Sequence, residues 1–332
     1  MDLTYGIAGV LVGGILNGSF VAPMKKMAGW KWENSGLVYS LSGLLVIPWI
    51  AALTTVPSLD TVLSGAPAAS IWRVLLFGLG WGVGSVLFGL GIARMGLAVG
   101  YGLILGLIAP IGSFLPLIVL HPEQLQTRRG TSLIAGTLIV VCGIILCAIA
   151  GKMREHDNTR PKQGFSIGLP ICVLAGIFSP MLNFSFAFGG ELQQRALDAG
   201  ATRDAASNAI WPLCLTAGLI ANAGYSILLL QREGSWKLFR GAPAGYWGWG
   251  ALMGLLCFGS FIVYGAGANA LGSLGAVVGW PLFMSMSLIT SNTLGWISGE
   301  RSGAPPKAIR YAVAGMAIPI VAITVIVSGG RG

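Results

Sequence analysis

"LAVGYGLILGLIAPIGSFLPLIVL" occupies residues 97–120 and carries no charged side chain. An apolar run of this length crosses a bilayer core of about 30 Å as an α-helix. It is apolar on every side, so it lacks the period-two alternation of a barrel strand. In its middle stands Pro110, which has no backbone N–H and bends the helix around it. Nine further stretches are built in the same way. The ten spans run over 3–23, 36–55, 70–92, 97–120, 131–151, 166–188, 207–231, 245–268, 274–298 and 309–328.

Composition points the same way. Of 332 residues, 55% are hydrophobic and only 9% are charged. The mean hydropathy is +0.79. A soluble domain carries about 25% charged residues, so the chain reads as an all-α polytopic membrane protein. The net charge of +9 sits in short loops between spans, where it sets orientation and does not mark a nucleic-acid partner. The loops after spans 1, 3, 5, 7 and 9 hold most of the lysines and arginines. By the positive-inside rule both termini are expected outside, and the linker 152–165 is expected in the cytoplasm of a cell whose inner membrane holds the protein. The first apolar run has no basic segment before it, so it reads as a retained span and not as a cleaved leader.

Five spans, a cytoplasmic linker and five more spans would place two halves in opposite orientations. Residues 1–151 and 166–332 are therefore expected to be two inverted five-helix repeats, a plan common among secondary transporters. "LVGGI" (11–15) echoes "LAGIF" (174–178), and "GIARMGLAVGYG" (91–102) echoes "GAGANALGSLGA" (265–276). Pro110 in span 4 and Pro281 in span 9 lie in corresponding spans, about one helical turn apart once the halves are aligned. Proline-interrupted spans at matching places point to a transporter's binding site. Glycine-rich runs such as "GLGWGVG" (78–84) and "GAVVG" (275–279) let helix backbones approach closely.

The chemistry inside the spans is neutral. No acidic residue lies in mid-span, and both histidines, His121 and His156, fall in loops. There is no paired carboxylate, no HExxH, no nucleophile–base pattern and no metal-ligand spacing, so neither an enzyme nor a cofactor is expected. The five cysteines form no CxxC and read as small core residues. An anionic solute calls for a mid-span Arg or Lys, and a cationic one for a carboxylate. Amides, hydroxyls and indoles remain, and these suit a neutral polyol such as a sugar.

"GSFVAPMKKMAGWKWEN" (18–34) ends the first span. Lys25, Lys26 and Lys31 fix its cytoplasmic end, with Trp30 and Trp32 expected in the interfacial aromatic belt. Glu33 among these cations is a gate candidate, pairing with a lysine when that side closes. Glu33 and Glu191, both at span ends, are the nearest candidates for proton coupling.

Several of these stretches resemble the bacterial L-rhamnose–proton symporter family of the drug/metabolite transporter superfamily. "APMKKMAGWKWEN" (22–34) is similar to that family's span 1–2 junction, and "FGLGWGVGSVLFGLGIARMGLAVGYG" (77–102) to its spans 3–4. "GIFS" (176–179), "FIVYGAG" (261–267) and "GWPLFMSMS" (279–287) resemble its spans 6, 8 and 9. The resemblance implies ten helices in two inverted halves around a central site, and uptake of a neutral monosaccharide, L-rhamnose or similar, by proton symport with alternating access. Asn17, Trp81, Tyr101, Asn183, Tyr264, Trp280 and Ser285 are expected to line the site, with both tryptophans stacking on the ring. Two features depart from the family. "LGSLGAVVG" (271–279) lacks the acidic residue of the family's equivalent stretch, and Ser85 stands where the family has an amide. A proton-independent uniporter and a metabolite or amino-acid exporter are the alternatives. A receptor or assembly factor without transport is a more distant one.

Overall fold

An apolar chain in lipid must satisfy its backbone within each segment, so helices are the only open-chain solution. The computed structural model describes residues 3–95, 97–154, 163–295, 297 and 305–329, and among them there is no strand. In chain order the helices are α1 (Leu3–Ser19), α2 (Trp32–Leu41), α3 (Ile47–Thr55), α4 (Leu59–Ser64), α5 (Ala68–Met95), α6 (Leu97–Leu120), α7 (Arg128–Arg154), α8 (Gln163–Phe178), α9 (Met181–Phe188), α10 (Gly190–Asp198), α11 (Trp211–Arg232), α12 (Ala244–Ala270), α13 (Gly275–Gly295) and α14 (Pro306–Gly329). Among the described residues, eight helical stretches from Leu3–Lys26 to Ala244–Ala270 are long and apolar enough to cross a membrane. Helices α13 and α14 fill the last two stretches read from the sequence. Most of the linker, residues 155–162, lies outside the described residues.

Two spans are not continuous, and proline explains both. In the second, Pro48 has no N–H for the carbonyl of Leu44, and the turn before it widens into a π segment (Ser42–Val46), with the Ile47 N–H reaching back to Ser42 O. In the sixth, α8 stops at Phe178 and α9 starts at Met181, with Pro180 as its N-cap. The stretch 189–208, expected as a loop, contains the amphipathic helix α10, which buries Leu192 and Ala196.

Packing follows the small residues. Helix α1 lies on α12 and α13, α8 lies on α5 and α6, α5 also packs on α11, α7 packs on α14, and α6 crosses α13. A Cβ at Gly82 would sit 2.5 Å from Gly218 O, and one at Gly78 would collide with Cys214 O, so α5 and α11 touch through backbone. A Cβ at Gly18 would sit 2.5 Å from Ser287 O, which sets the same intimacy between α1 and α13. Such contacts replace the hydrophobic drive that lipid removes.

Gly82→Leu is therefore expected to destabilise the protein by about 1–3 kcal/mol through overpacking. Gly248→Ala, where nothing lies within 4 Å of an added Cβ, should leave stability equal or slightly raised. Thermal unfolding of the two detergent-solubilised variants checks the contrast.

Candidate functional site

The crossing of α6 and α13 is where backbone becomes chemically available. A helical N–H bonds the carbonyl four residues before it. Pro116 therefore frees Gly112 O, and Pro281 frees Val277 O. Both freed carbonyls are taken by side chains. Asn183 Nδ2 donates to Gly112 O at 2.9 Å and also to Ala276 O at 3.1 Å. Ser113 Oγ donates to Val277 O at 2.7 Å. The Trp280 indole Nε1 donates to Ile108 O at 3.1 Å, and a Cβ at Gly112 would collide with that indole. The Tyr264 hydroxyl donates to Asn183 Oδ1 at 2.5 Å. The amide orientation is fixed chemically, because only its nitrogen can donate to two carbonyls.

Aromatic rings enclose this node. Tyr264 meets Trp280 edge-on at 5.9 Å, and Phe283 stacks near Trp280 at 5.8 Å. Trp81 meets Phe261 edge-on at 6.0 Å. Phe186 stacks on Trp211 at 5.8 Å. Asn183, Tyr264, Ser285 and Trp280 are buried here, each against protein.

Of the residues expected to line the site, Asn183, Tyr264 and Trp280 meet directly, and Trp81 joins through Phe261. Ser285 is buried in α13 but turns its hydroxyl back to Pro281 O at 2.6 Å. Asn17 is half-buried on α1, outside the hydrogen-bonded node. The side chain of Tyr101 lies outside the described residues. Ser85 donates to Asn222 Oδ1 at 2.9 Å, so the amide that the resemblance places at position 85 is supplied from α11. Ser113, Pro116, Phe186 and Trp211 were missed as site residues. Counting four residues back from each proline would have found Gly112 and Val277, but not the side chains that reach them.

At the Trp30 end, the segment after α1 docks on residues 233–253. Trp30 is only 8% exposed, which corrects its expected place in the aromatic belt. Its ring meets Phe239, Tyr246 and Trp247 edge-on at 5.3–5.5 Å, and its Nε1 donates to Leu238 O at 3.1 Å. Trp32 is half exposed, as a belt residue would be. Glu33 is the single charged side chain that is buried among the described residues. It accepts a hydrogen bond from Ser235 Oγ at 2.5 Å, while Asn34 Nδ2 donates to Ser235 O at 3.0 Å. Lys31 pairs instead with Glu233 at 3.7 Å, and Lys25 and Lys26 are exposed.

The opposite, Tyr5 end is closed by polar stitches. The Tyr5 hydroxyl donates to Asp204 at 2.9 Å. Arg203 Nη2 donates to Asn269 O at 2.8 Å, and Asn269 Nδ2 returns a bond to Arg203 O at 3.1 Å. Ser70 Oγ donates to Glu191, which is otherwise exposed. A cleft of about 320 Å³ lined by Ser58, Thr61, Val62, Arg195, Asp198 and Ala199 opens at this end, away from the node. Among the described residues no three His, Cys, Asp or Glu side chains gather to hold a metal ion.

Asn183→Leu would remove three hydrogen bonds and leave Gly112 O and the Tyr264 hydroxyl unpaired. A buried group left without its partner costs about 1–3 kcal/mol, so a loss of about 2–4 kcal/mol is expected. Ser113→Ala leaves Val277 O unpaired and should cost about 1–3 kcal/mol. Unfolding of each variant in detergent, against the unmodified protein, measures both.

The chain is similar to known proteins along nearly its whole length. Residues 1–331 match the family model described as L-rhamnose-proton symport protein. An L-rhamnose-proton symporter of Klebsiella pneumoniae subsp. pneumoniae is 23% identical over 334 residues, covering 98% of this chain and 97% of that protein. One of Escherichia coli has the same identity and coverage. One of Mannheimia succiniciproducens is 24% identical over 335 residues, again covering 98% of this chain and 97% of its own. With eight helices of membrane-crossing length among the described residues, the chain is a multi-pass membrane protein.

Proposed function

This chain belongs to the family of L-rhamnose-proton symport proteins, and from that premise we propose that it takes up L-rhamnose or a similar neutral monosaccharide by proton symport. The match over residues 1–331 carries this reading. The site supports the solute class. Its polar groups are an amide, hydroxyls, an indole and backbone carbonyls, all neutral, set among aromatic rings. A polyol needs donors, acceptors and an apolar face together. Asn183, Tyr264, Trp280 and Trp81 are the proposed core of the solute site, with Asn17, Tyr101 and Ser285 around it.

The proposed architecture is ten crossings in two inverted halves, 1–151 and 166–332, with both termini outside the inner membrane and the linker 152–165 in the cytoplasm. The packing supports the repeat. The first helix of each half lies on the third and fourth spans of the other half: α1 on α12 and α13, α8 on α5 and α6. Alternating access then opens the Trp30 end to the cytoplasm and the Tyr5 end to the outside in turn.

Glu33 is the proposed coupling group, in preference to the exposed Glu191. Docking of residues 233–253 takes Glu33 out of water, and undocking returns it. A carboxyl on a seam that opens and closes meets water in only one of its two arrangements, which is what a coupling group needs. The charged groups along the seam are Lys31 and Glu233, which pair with each other, and Lys25, Lys26, Arg232, Lys237 and Arg240, all exposed.

Proteoliposomes holding the purified protein are expected to accumulate radiolabelled L-rhamnose when an inward proton gradient is imposed. Uptake indifferent to the gradient would mean a uniporter, and no uptake would overturn the sugar. Glu33→Gln should abolish gradient-driven accumulation while sugar exchange at equal pH stays within about twofold, since exchange needs no net proton movement. Accumulation that survives in Glu33→Gln would rule out this coupling role.

A further inference from the structure

Six buried side-chain nitrogen or oxygen atoms lack a hydrogen-bond partner among the described residues, and three fall within five consecutive positions: Ser207 Oγ, Asn208 Oδ1 and Trp211 Nε1. Interiors rarely leave such atoms unpaired, and each calls for an explanation. The other three, on Thr137, Ser179 and Arg195, are scattered over α7, the α8–α9 break and α10. Clustering in 207–211 therefore marks one place and not general looseness of packing.

That place adjoins the node. Ser207 lies on the short 3-10 turn Ala206–Ala209, and Trp211 opens α11. Both residues are wholly buried. They face Gly265 of α12, next to Tyr264: a Cβ there would lie 2.5 Å from Ser207 Oγ and 3.3 Å from the Trp211 ring. The indole is held flat against Phe186, with an interplanar angle of 11°, and Phe261 lies 6.0 Å away. The ring is thus fixed while its N–H has nothing to donate to. Asn208 Nδ2 is tied to Thr55 at 2.9 Å, leaving its Oδ1 as a spare acceptor. The node is complementary to this. There the carbonyls of Ile108, Gly112, Ala276 and Val277 are already occupied by the protein's own donors.

We propose that Ser207 and Trp211 form a further solute-binding subsite, donating Oγ–H and Nε1–H to hydroxyl oxygens of the neutral monosaccharide as it passes between segment 206–211 and α12 from the Tyr5 end. The proposal rests on the transport reading above and adds to it the residues that receive the sugar's oxygens. The segment lies beside the stitches at Arg203, Asp204 and Asn269, so opening of that end uncovers it. Stacked Phe186 and Trp211 offer an apolar wall to the C–H face of the sugar.

The test uses proteoliposomes of the full chain and radiolabelled L-rhamnose. Trp211→Phe removes the N–H and keeps a ring on Phe186, and Ser207→Ala removes the hydroxyl. Each is expected to raise KM about tenfold while the maximal rate stays within about twofold, the signature of lost uniform binding. Among monodeoxy analogues of the sugar, one should show the same KM in the unmodified protein and in Trp211→Phe, because its missing oxygen was the partner. KM within about twofold in both variants overturns the proposal, and so does a lowered unfolding temperature with unchanged KM, which assigns the atoms to packing or to an internal water. If Trp211→Phe does not fold, Ser207→Ala decides by the same criteria. Failure of the unmodified protein to take up any monosaccharide overturns the transport reading itself, and that outcome is seen before any variant is made.

Discussion

One side-chain amide ties together two helices that each carry an internal proline, α6 and α13. Asn183 gives one N–H to α6 and the other to α13, and receives the Tyr264 hydroxyl from α12. Much of the surrounding structure serves this bridge. Pro116 frees the carbonyl it binds on α6. Pro180 separates α9 from α8, so Asn183 stands on its own short helix. Gly112 makes room for the indole that donates to Ile108 O, one turn back on α6. Each bond stabilises the fold only slightly, by about 0.6 kcal/mol. Leaving any of these groups unpaired in an apolar interior costs considerably more. The node therefore selects one geometry more than it adds stability, and any rearrangement has to supply new partners.

The two ends are closed by different means. At the Trp30 end a buried indole sits in an aromatic cage, with hydrogen bonds from Trp30 and Asn34 to a facing 3-10 turn (Ser235–Phe239). Burial of an aromatic side chain removes about 150–250 Å² from water, worth several kcal/mol at about 25 cal/mol per Å². At the Tyr5 end the stitches are exposed hydrogen bonds between Tyr5 and Asp204 and between Arg203 and Asn269. Water competes for such bonds, and each contributes about 1 kcal/mol. The Tyr5 closure is thus the weaker of the two.

The membrane class and the helix positions were legible because hydropathy alone decides them, and the structure places helices at each stretch. Neutral chemistry was legible too, since Asn183, Tyr264 and Trp280 are amide, hydroxyl and indole on runs otherwise apolar. What sequence did not disclose was partnership. Trp30 looks like any belt tryptophan until residues 238–247 close over it. Ser285 has the same composition signal as Ser113, yet one bonds its own helix and the other bonds across to α13. Pro116 looks like a kink until Asn183 is seen on the carbonyl it frees. The unpaired atoms of Ser207 and Trp211 have no sequence signature, because a missing partner is a property of the fold. The widening of span 2 before Pro48 was readable in principle, from the same four-residue rule.

The distribution of charge carries a mechanistic consequence. A carboxylate in mid-membrane beside the sugar would be costly, and the node has none; its polar groups pair as neutral donors and acceptors. The buried carboxyl, Glu33, lies instead on the seam between the segment after α1 and residues 233–253. Coupling at such a distance does not need contact between proton and sugar. It needs one element with two arrangements that both ligands bias, and the bias is reciprocal. In the proposed cycle, docking of 233–253 onto 22–34 is such an element, because it buries Glu33 and Trp30 together. Helix α12 starts in that docked segment and runs to Tyr264 and Gly265. The helix that would move with the proposed gate is thus the one that presents Tyr264 to Asn183. In that proposal a single helix, held at one end by the Glu33 seam and at the other by the proposed solute site, links the two without a charge entering the centre.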